Sequence, residues 1–271
     1  MKLTIARHLW GVELPLDVAL PRFVAKGYGA IETGLPADPA AFKEQLRAHG
    51  LGYIPMIFTG GKTEADHLAA FRKDVAAAVA TGAKQITVHS GSDVWSAASR
   101  LAFYREVSRI EKDLPVPVAH ETHRGRAFFS PWGTRDVLLE CPDIKLCCDF
   151  SHWVCVAERL NWDDENESIL KLCAERTIHV HARVGYEEGP QVPDPSAPEY
   201  AHHVVQHIKW WKTIWSALRK RGEGVSTVTP EFGPPGYLHT LPHTNVPVAN
   251  LETVCDWMAD RVREEFAAHV V

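Results

Sequence analysis

Short runs rich in apolar and β-branched residues alternate along this chain with longer amphipathic stretches, the pattern that repeated βα units produce. It predicts strands over residues 3–8, 30–33, 52–57, 85–89, 116–121, 144–150, 177–181 and 226–232. Helices are predicted over 16–26, 39–49, 64–81, 94–113, 134–140, 165–175, 201–221 and 251–267. The third helix stops at Gly82, as a C-terminal glycine would stop it. The last carries Leu251, Val254, Cys255, Met258, Val262 and Phe266 at three- and four-residue steps after an Asn250 cap. The helix before it has a similar stripe of Val204, Ile208, Trp211, Trp215 and Leu218, and its tryptophans read as packing.

Eight strands alternating with eight helices make a single α/β domain over residues 1–271, closed as a (β/α)8 barrel, the economical architecture. A doubly wound open sheet could be written from the same pattern, but no GxGxxG or GxxxxGK[ST] turn favours a nucleotide-binding version. Two proline-rich stretches, 185–198 and 233–247, fall after the seventh and eighth strands and are expected to be substrate-side flaps on the catalytic face.

Composition narrows the setting. Of 271 residues, 45% are hydrophobic and 23% charged, the balance of a globular chain with an ample core. The formal net charge of −5 argues against nucleic acid as a partner. The six cysteines form no CxxC pair and read as small buried hydrophobes in a reducing compartment. The opening residues MKLTIARHLW already read as a strand, and no stretch is long enough to cross a bilayer. A cytoplasmic protein with no membrane partner is expected, and a homo-oligomer is compatible with the sequence.

The ends of the predicted strands collect ionisable residues: Arg7 and His8, Glu32, His89, Glu121 and His123, Asp149 and His152, His179 and His181, then Glu231. Singly, each has an ordinary explanation as a solvated carboxylate, a helix cap or a hydrogen-bonded filler; Asp149, for instance, could cap a turn through Ser151. In a barrel, however, all would point into one mouth. Carboxylates crowded there repel and raise each other's pKa, and a divalent cation removes that penalty. Three carboxylates and one imidazole suit Mn²⁺, Mg²⁺, Co²⁺ or Zn²⁺ with positions left open for substrate oxygens. A cation holding a carbonyl and an adjacent hydroxyl acidifies the C–H bond between them, which flanking carboxylates can then deprotonate and reprotonate.

At four places the sequence resembles the xylose isomerase-like TIM barrel superfamily, which includes sugar phosphate isomerases and epimerases, inosose dehydratases, and AP endonuclease family 2 (the endonuclease IV group). These are AHETH (119–123), CCDFSHW (147–153), IHVHARVG (178–185) and TPEFGPPGY (229–237), in order at the ends of the last four strands. The resemblance implies one divalent metal ion held by Glu121, Asp149, His181 and Glu231, with Glu121 and Glu231 also serving as acid and base. It prefers His181 to His179 as the nearer to the strand end, and His179 is expected to face elsewhere. It places His152 of the DxxH motif and Arg183 on the substrate side, where His8, His89 and Trp10 join them as strand-end residues. His123, two residues after Glu121, is a further candidate base. One departure is HARVG, which lacks the acidic residue often found after the strand-seven histidine.

The expected activity is a metal-dependent isomerase or epimerase that abstracts a proton next to a metal-bound carbonyl of a sugar or polyol-like small molecule. The alternative is a dehydratase or lyase acting on a keto-sugar or keto-glycoside, favoured by His123. An AP endonuclease and a non-catalytic sugar-binding barrel are the remaining readings, the former disfavoured by charge.

Overall fold

The computed structural model of the protein describes residues 1–270. Its strands are β1 (Lys2–His8), β2 (Ala30–Thr33), β3 (Gly52–Phe58), β4 (Ile86–His89), β5 (Val118–Glu121), β6 (Lys145–Cys148), β7 (Thr177–His181) and β8 (Val225–Thr229). All neighbours run parallel, and β8 pairs back onto β1, so the sheet closes in sequence order. This is the expected (β/α)8 barrel. The helices are α1 (Leu16–Ala25), α2 (Pro39–Ala48), α3 (Glu64–Ala80), α4 (Ala97–Glu111), α5 (Pro131–Glu140), α6 (Ser151–Ala157), α7 (Glu167–Arg176), α8 (Ala201–Lys220) and α9 (Leu251–Val270).

Local chemistry explains most boundaries. Thr63 and Asp66 form a reciprocal capping box at the start of α3. Ser130 accepts from Gly133 N and Pro131 occupies the first position of α5, so that helix starts three residues earlier than the apolar pattern alone suggests. Ser96 caps α4 in the same way, trimming the predicted start. The helix absent from the prediction is α6. It begins at Ser151, one residue after the predicted sixth strand ends, and its seven residues are too few to show a helical repeat, so the pattern leaves them unassigned. Strands β6 and β8 end at Cys148 and Thr229, short of their predicted limits, leaving Asp149 and Glu231 on the first turns beyond the sheet.

The main core lies between the strands and the surrounding helices. In α9, Val254, Cys255, Met258, Val262 and Phe266 are buried as the stripe predicts. Each such aliphatic or aromatic side chain contributes about 1.5–3 kcal/mol. In α8 the buried set includes Trp210, Trp211 and Trp215, and Trp210 packs against Trp162 with ring centroids 5.3 Å apart. Inside the barrel only a small apolar group, Ala6, Ala30 and Ile54, forms a separate cluster. Polar side chains, Glu32, His179, His181 and Thr229 among them, are buried there too.

The segment after β7 is not a free flap. Gly185 lies so close to α6 that a Cβ on it would stand 2.5 Å from the Ser151 carbonyl oxygen, and Gln191 and Val192 are buried. Residues 241–248, by contrast, are exposed throughout. No described helix is long and apolar enough to cross a membrane.

Candidate metal centre

Glu121 closes β5, Asp149 follows β6, His181 closes β7 and Glu231 follows β8, so four neighbouring strand ends deliver four ligand-type side chains to one point. One ligand atom from each lies within 4.8 Å of the others, and all four residues are buried. His181 is the hub. Its Nδ1 is 3.0 Å from both Glu121 Oε1 and Glu231 Oε2, while its Nε2 is 3.2 Å from both carboxylate oxygens of Glu32. With a cation in place, a proton kept on Nε2 and donated to Glu32 would leave the Nδ1 lone pair free on the Glu121 and Glu231 side, the tautomer that a ligating histidine needs.

The donor set fits a divalent cation on a second ground. Glu121 Oε2 stands 2.5 Å from His89 Nε2 without the alignment of a hydrogen bond, and both atoms are buried with no other partner. A buried pair this close that no aligned hydrogen bond satisfies is one that an ion between the two donors would relieve. Asp149 is more fully engaged. Its Oδ1 accepts from Ser151 N at 3.0 Å and from the Ser151 hydroxyl, and its Oδ2 accepts from Arg183 Nε at 3.0 Å. The turn-capping role and the place in the quartet therefore coexist. Arg183 also donates to Glu231, so its guanidinium bridges two of the three carboxylates, while its Nη1 has no partner.

His179 does not face away. Residues two apart on a strand share a face, and the His179 ring lies inside the barrel beside His181. Its Nε2 is 3.2 Å from Glu32 Oε2 and 3.1 Å from Thr229 Oγ1, and its Nδ1 is 2.7 Å from Thr227 Oγ1. Cys147, His179 and His181 also bring ligand atoms together. Burial pushes the Cys147 thiol well up, which keeps it protonated and consistent with a small hydrophobe.

Above the quartet lies a cavity of about 470 Å³ whose lining includes His8, Trp10, His89, His123, Arg183 and Glu231. Glu121, Asp149 and His181 lie beneath its surface, so Glu231 is the quartet member that faces the open space. Of the candidate substrate-side residues, His152 is the exception. It is fully buried behind His123, ring centroids 3.9 Å apart, with Nε2 3.8 Å from Asp149 Oδ2 and neither nitrogen hydrogen-bonded. Trp10 remains 42% exposed at the rim, edge-on to Tyr237.

Electrostatics separates the groups. Burial alone would raise Glu121 and Glu231, but neighbouring imidazoles, and Arg183 for Glu231, outweigh it and hold both below the usual carboxylate range. At Asp149 burial wins over Arg183 and pushes the carboxyl up to about 6. Burial would lower His181, but Cys147 and three surrounding carboxylates raise it well above the ordinary histidine value. Burial lowers His123 to about 4, and His89 and Arg183 add to that against Glu121. His123 is thus an unprotonated imidazole at neutral pH.

Two residues of the site, Tyr237 and Gln191, escaped the sequence assignment, and Glu32 stands among the predicted strand ends without a role. Glu32 orients His181 and His179 from inside the barrel, a buried carboxylate near the end of β2 that must find buried partners. Tyr237 packs under the Arg183 guanidinium, 4.8 Å from ring centroid to Cζ, with its hydroxyl 3.3 Å from His123 Nε2. Gln191 donates to Gly233 O at 3.1 Å and accepts from Gly233 N at 2.7 Å, tying the β7 loop to the segment that carries Glu231. Neither Tyr237 nor Gln191 carries a charge or strand-end position that would single it out.

Among known proteins, the family described as xylose isomerase-like TIM barrel matches residues 21–255. No curated protein matches the chain. Among solved structures, the probable 3-DHS dehydratase AsbF of Bacillus anthracis is 11% identical, covers 96% of this chain and 98% of its own, and gives a TM-score of 0.64. The 3-keto-D-glucoside 4-epimerase YcjR of E. coli is 13% identical over 97% of this chain and 100% of its own, with a TM-score of 0.63. A xylose isomerase-like TIM barrel protein of Mycobacterium smegmatis, in complex with magnesium, is 10% identical over 99% and 98%, with a TM-score of 0.65. At such identities these likenesses speak to the fold, and the family match to ancestry. The chain belongs to the xylose isomerase-like TIM barrel family.

Proposed function

We propose that the protein is a divalent-metal-dependent enzyme that moves protons on a sugar or polyol-like small molecule, as an isomerase or epimerase. The observation that carries this is the meeting of Glu121, Asp149, His181 and Glu231 within 4.8 Å directly under the cavity. Mn²⁺, Mg²⁺, Co²⁺ or Zn²⁺ suits three carboxylates and an imidazole, and when bound supplies a Lewis acid for a substrate carbonyl. The magnesium in the M. smegmatis protein and the epimerase and dehydratase neighbours agree with this reading.

The chain's own residues divide the remaining work. Glu231 faces the cavity and is held ionised, so it takes or returns a proton at the substrate carbon. Glu121 sits deeper, between His89 and His181, which leaves it as a ligand more than a proton carrier. The second group facing the substrate is His123, an unprotonated base at neutral pH. Arg183 offers its free Nη1 to a substrate oxygen, and Trp10 and Tyr237 form an apolar wall on which a ring can lie.

The presence of His123 favours a second reading: a base that removes a proton and then protonates a departing oxygen makes a dehydratase or lyase on a keto-sugar or keto-glycoside. Metal analysis of the purified protein, followed by proton-exchange NMR in heavy water across ketoses, inososes and 3-keto-glycosides, separates the two. Deuterium uptake at one carbon of recovered substrate or its epimer supports the first; an unsaturated or cleaved product supports the second. A metal-free protein with no affinity for any of the four ions would end both.

A further inference from the structure

Arg126 lines the main cavity and also a neighbouring cleft of about 280 Å³, which reaches Thr59, Gly60, Lys62 and Ser92. Its guanidinium donates once, from Nη1 to Thr59 O at 2.9 Å. Among the described residues no carboxylate lies within 4.0 Å of it, nor of the Lys62 ammonium. Burial lowers the Arg126 pKa, and Glu121 and Asp93 act on it only from a distance. Two cations without an ion-pair partner therefore flank one cleft, Arg126 half-buried on the wall of the candidate active site and Lys62 exposed at the outer edge. A guanidinium fork is the side chain best matched to a carboxylate or phosphate.

The loop that frames the cleft is held in place before any ligand arrives. Thr59 Oγ1 accepts from Gly91 N at 2.8 Å and lies 2.8 Å from His67 Nδ1. Asp66 accepts from Lys62 N and Thr63 N, both at 2.9 Å, so the first turn of α3 is closed by its own carboxylate and offers no anion site of its own. Gly61 and Gly91 are left-handed, and a Cβ on either would collide with Asp66 or with Ala127 and Trp95. Gly60 is under neither constraint: its backbone is not left-handed, and a Cβ there would meet nothing within 4 Å. The space beside the Gly60 main chain is therefore open.

We propose that the substrate carries an anionic group, a carboxylate or a phosphate, and that Arg126 and Lys62 hold it in this cleft beside the Gly60 backbone while the other end reaches the metal centre. The proposal rests on the metal-centre reading for the reacting end only. It adds a charged end to the substrate class and assigns its specificity to residues outside the quartet.

Calorimetric titration of the full chain, as purified and metal-loaded, with inorganic phosphate and separately with acetate tests it. One of the two should bind with one-to-one stoichiometry, phosphate marking a phosphorylated substrate and acetate a carboxylated one. Arg126→Gln should weaken that binding about 10- to 100-fold, the loss of a charge-assisted hydrogen bond, and Lys62→Gln about 2- to 5-fold. Gly60→Val, which fills the approach without touching a charge, should weaken it comparably to Arg126→Gln. Should Arg126→Gln fail to fold, Gly60→Val and Lys62→Gln decide. Absence of binding of both anions, or unchanged affinity in the variants, overturns the proposal. A parallel Mn²⁺ titration keeps the two readings apart. If wild type binds the anion but no cation, only the metal centre falls; if it binds Mn²⁺ but neither anion, only this cleft does.

Discussion

The loops after β7 and β8 are both proline-rich and both leave the carboxyl end of the barrel, yet Gly185 and residues 189–192 are buried against it while 241–248 stand in solvent. The packed loop is held at three points. Gly185 abuts Ser151 at the head of α6, Gly185 N donates to His207 Nε2 at 3.3 Å, and Gln191 pairs with both backbone groups of Gly233. The exposed one is held by bonds within itself, Leu241 N to Val246 O at 2.8 Å and Val248 N to His239 O at 3.0 Å, with His243 and Asn245 left-handed at its tip. It touches the β7 loop at its base, where the Tyr186 hydroxyl lies 3.3 Å from His239 Nε2. Proline content thus does not separate a strut from a free hairpin; buried backbone partners do. The border even falls inside the β8 loop, between Gly233 and Leu241.

The sharpest break of this contrast comes at the residue the strut supports. Glu231→Gln removes the cavity-facing carboxylate while keeping its shape, and turnover should fall by about 10²–10⁴-fold with the melting temperature nearly unchanged. Steady-state kinetics beside thermal unfolding checks both halves. One step out, Gln191→Leu leaves Gly233 N–H and C=O buried without partners, a loss of about 1–3 kcal/mol in denaturant unfolding. Because Gly233 follows Glu231 by two residues, the same change should lower kcat and weaken metal binding. A variant that loses stability but keeps wild-type kcat and cation affinity would make the loop a mere brace.

The strut also carries a pH dependence. His207 donates Nδ1–H to His203 O at 2.8 Å and accepts from Gly185 N through Nε2, which requires a neutral ring. Burial lowers its pKa from 6.5 to about 3. Above pH 6.5 the ring is neutral folded or unfolded, and its contribution is complete. As the pH falls below 6.5 the unfolded chain binds the proton first, so stability drops steadily toward pH 3, by about 2 kcal/mol at pH 5. Unfolding curves at pH 7 and pH 5 for wild type and His207→Gln measure this, the variant losing that share of the slope.

Much of this arrangement is legible in the sequence because strand ends in a barrel converge. Once eight βα units are recognised, Glu121, Asp149, His181 and Glu231 are bound to meet, and they do. What escapes is whatever depends on depth or on uncharged groups. His179 and His181 share a face, and their difference is one layer of depth in the barrel. His152 is hidden behind His123 on α6, a short helix that the pattern leaves unassigned after the sixth strand. Gln191 and Tyr237 act through an amide and a ring from loops whose course no periodicity encodes. Glu32 stands among the predicted strand ends, but its partners lie 147 and 149 residues away.

The smallest effect belongs to the hairpin itself. Leu241 and Val246 are 51% and 52% exposed, so neither contributes core burial. Leu241→Ser and Val246→Ser should each shift stability by no more than about 0.5 kcal/mol, as substitutions away from packed features do. Turnover should stay near wild type, because the residues that line the cavity from this loop, Glu231 and Tyr237, precede the exposed turn. Parallel unfolding and activity assays of the two variants complete the contrast with Gln191→Leu. A large loss in either would mean that the hairpin is covered in solution, by a second copy of the chain or by its own closure over the mouth, and the distinction between strut and free loop would have to be redrawn.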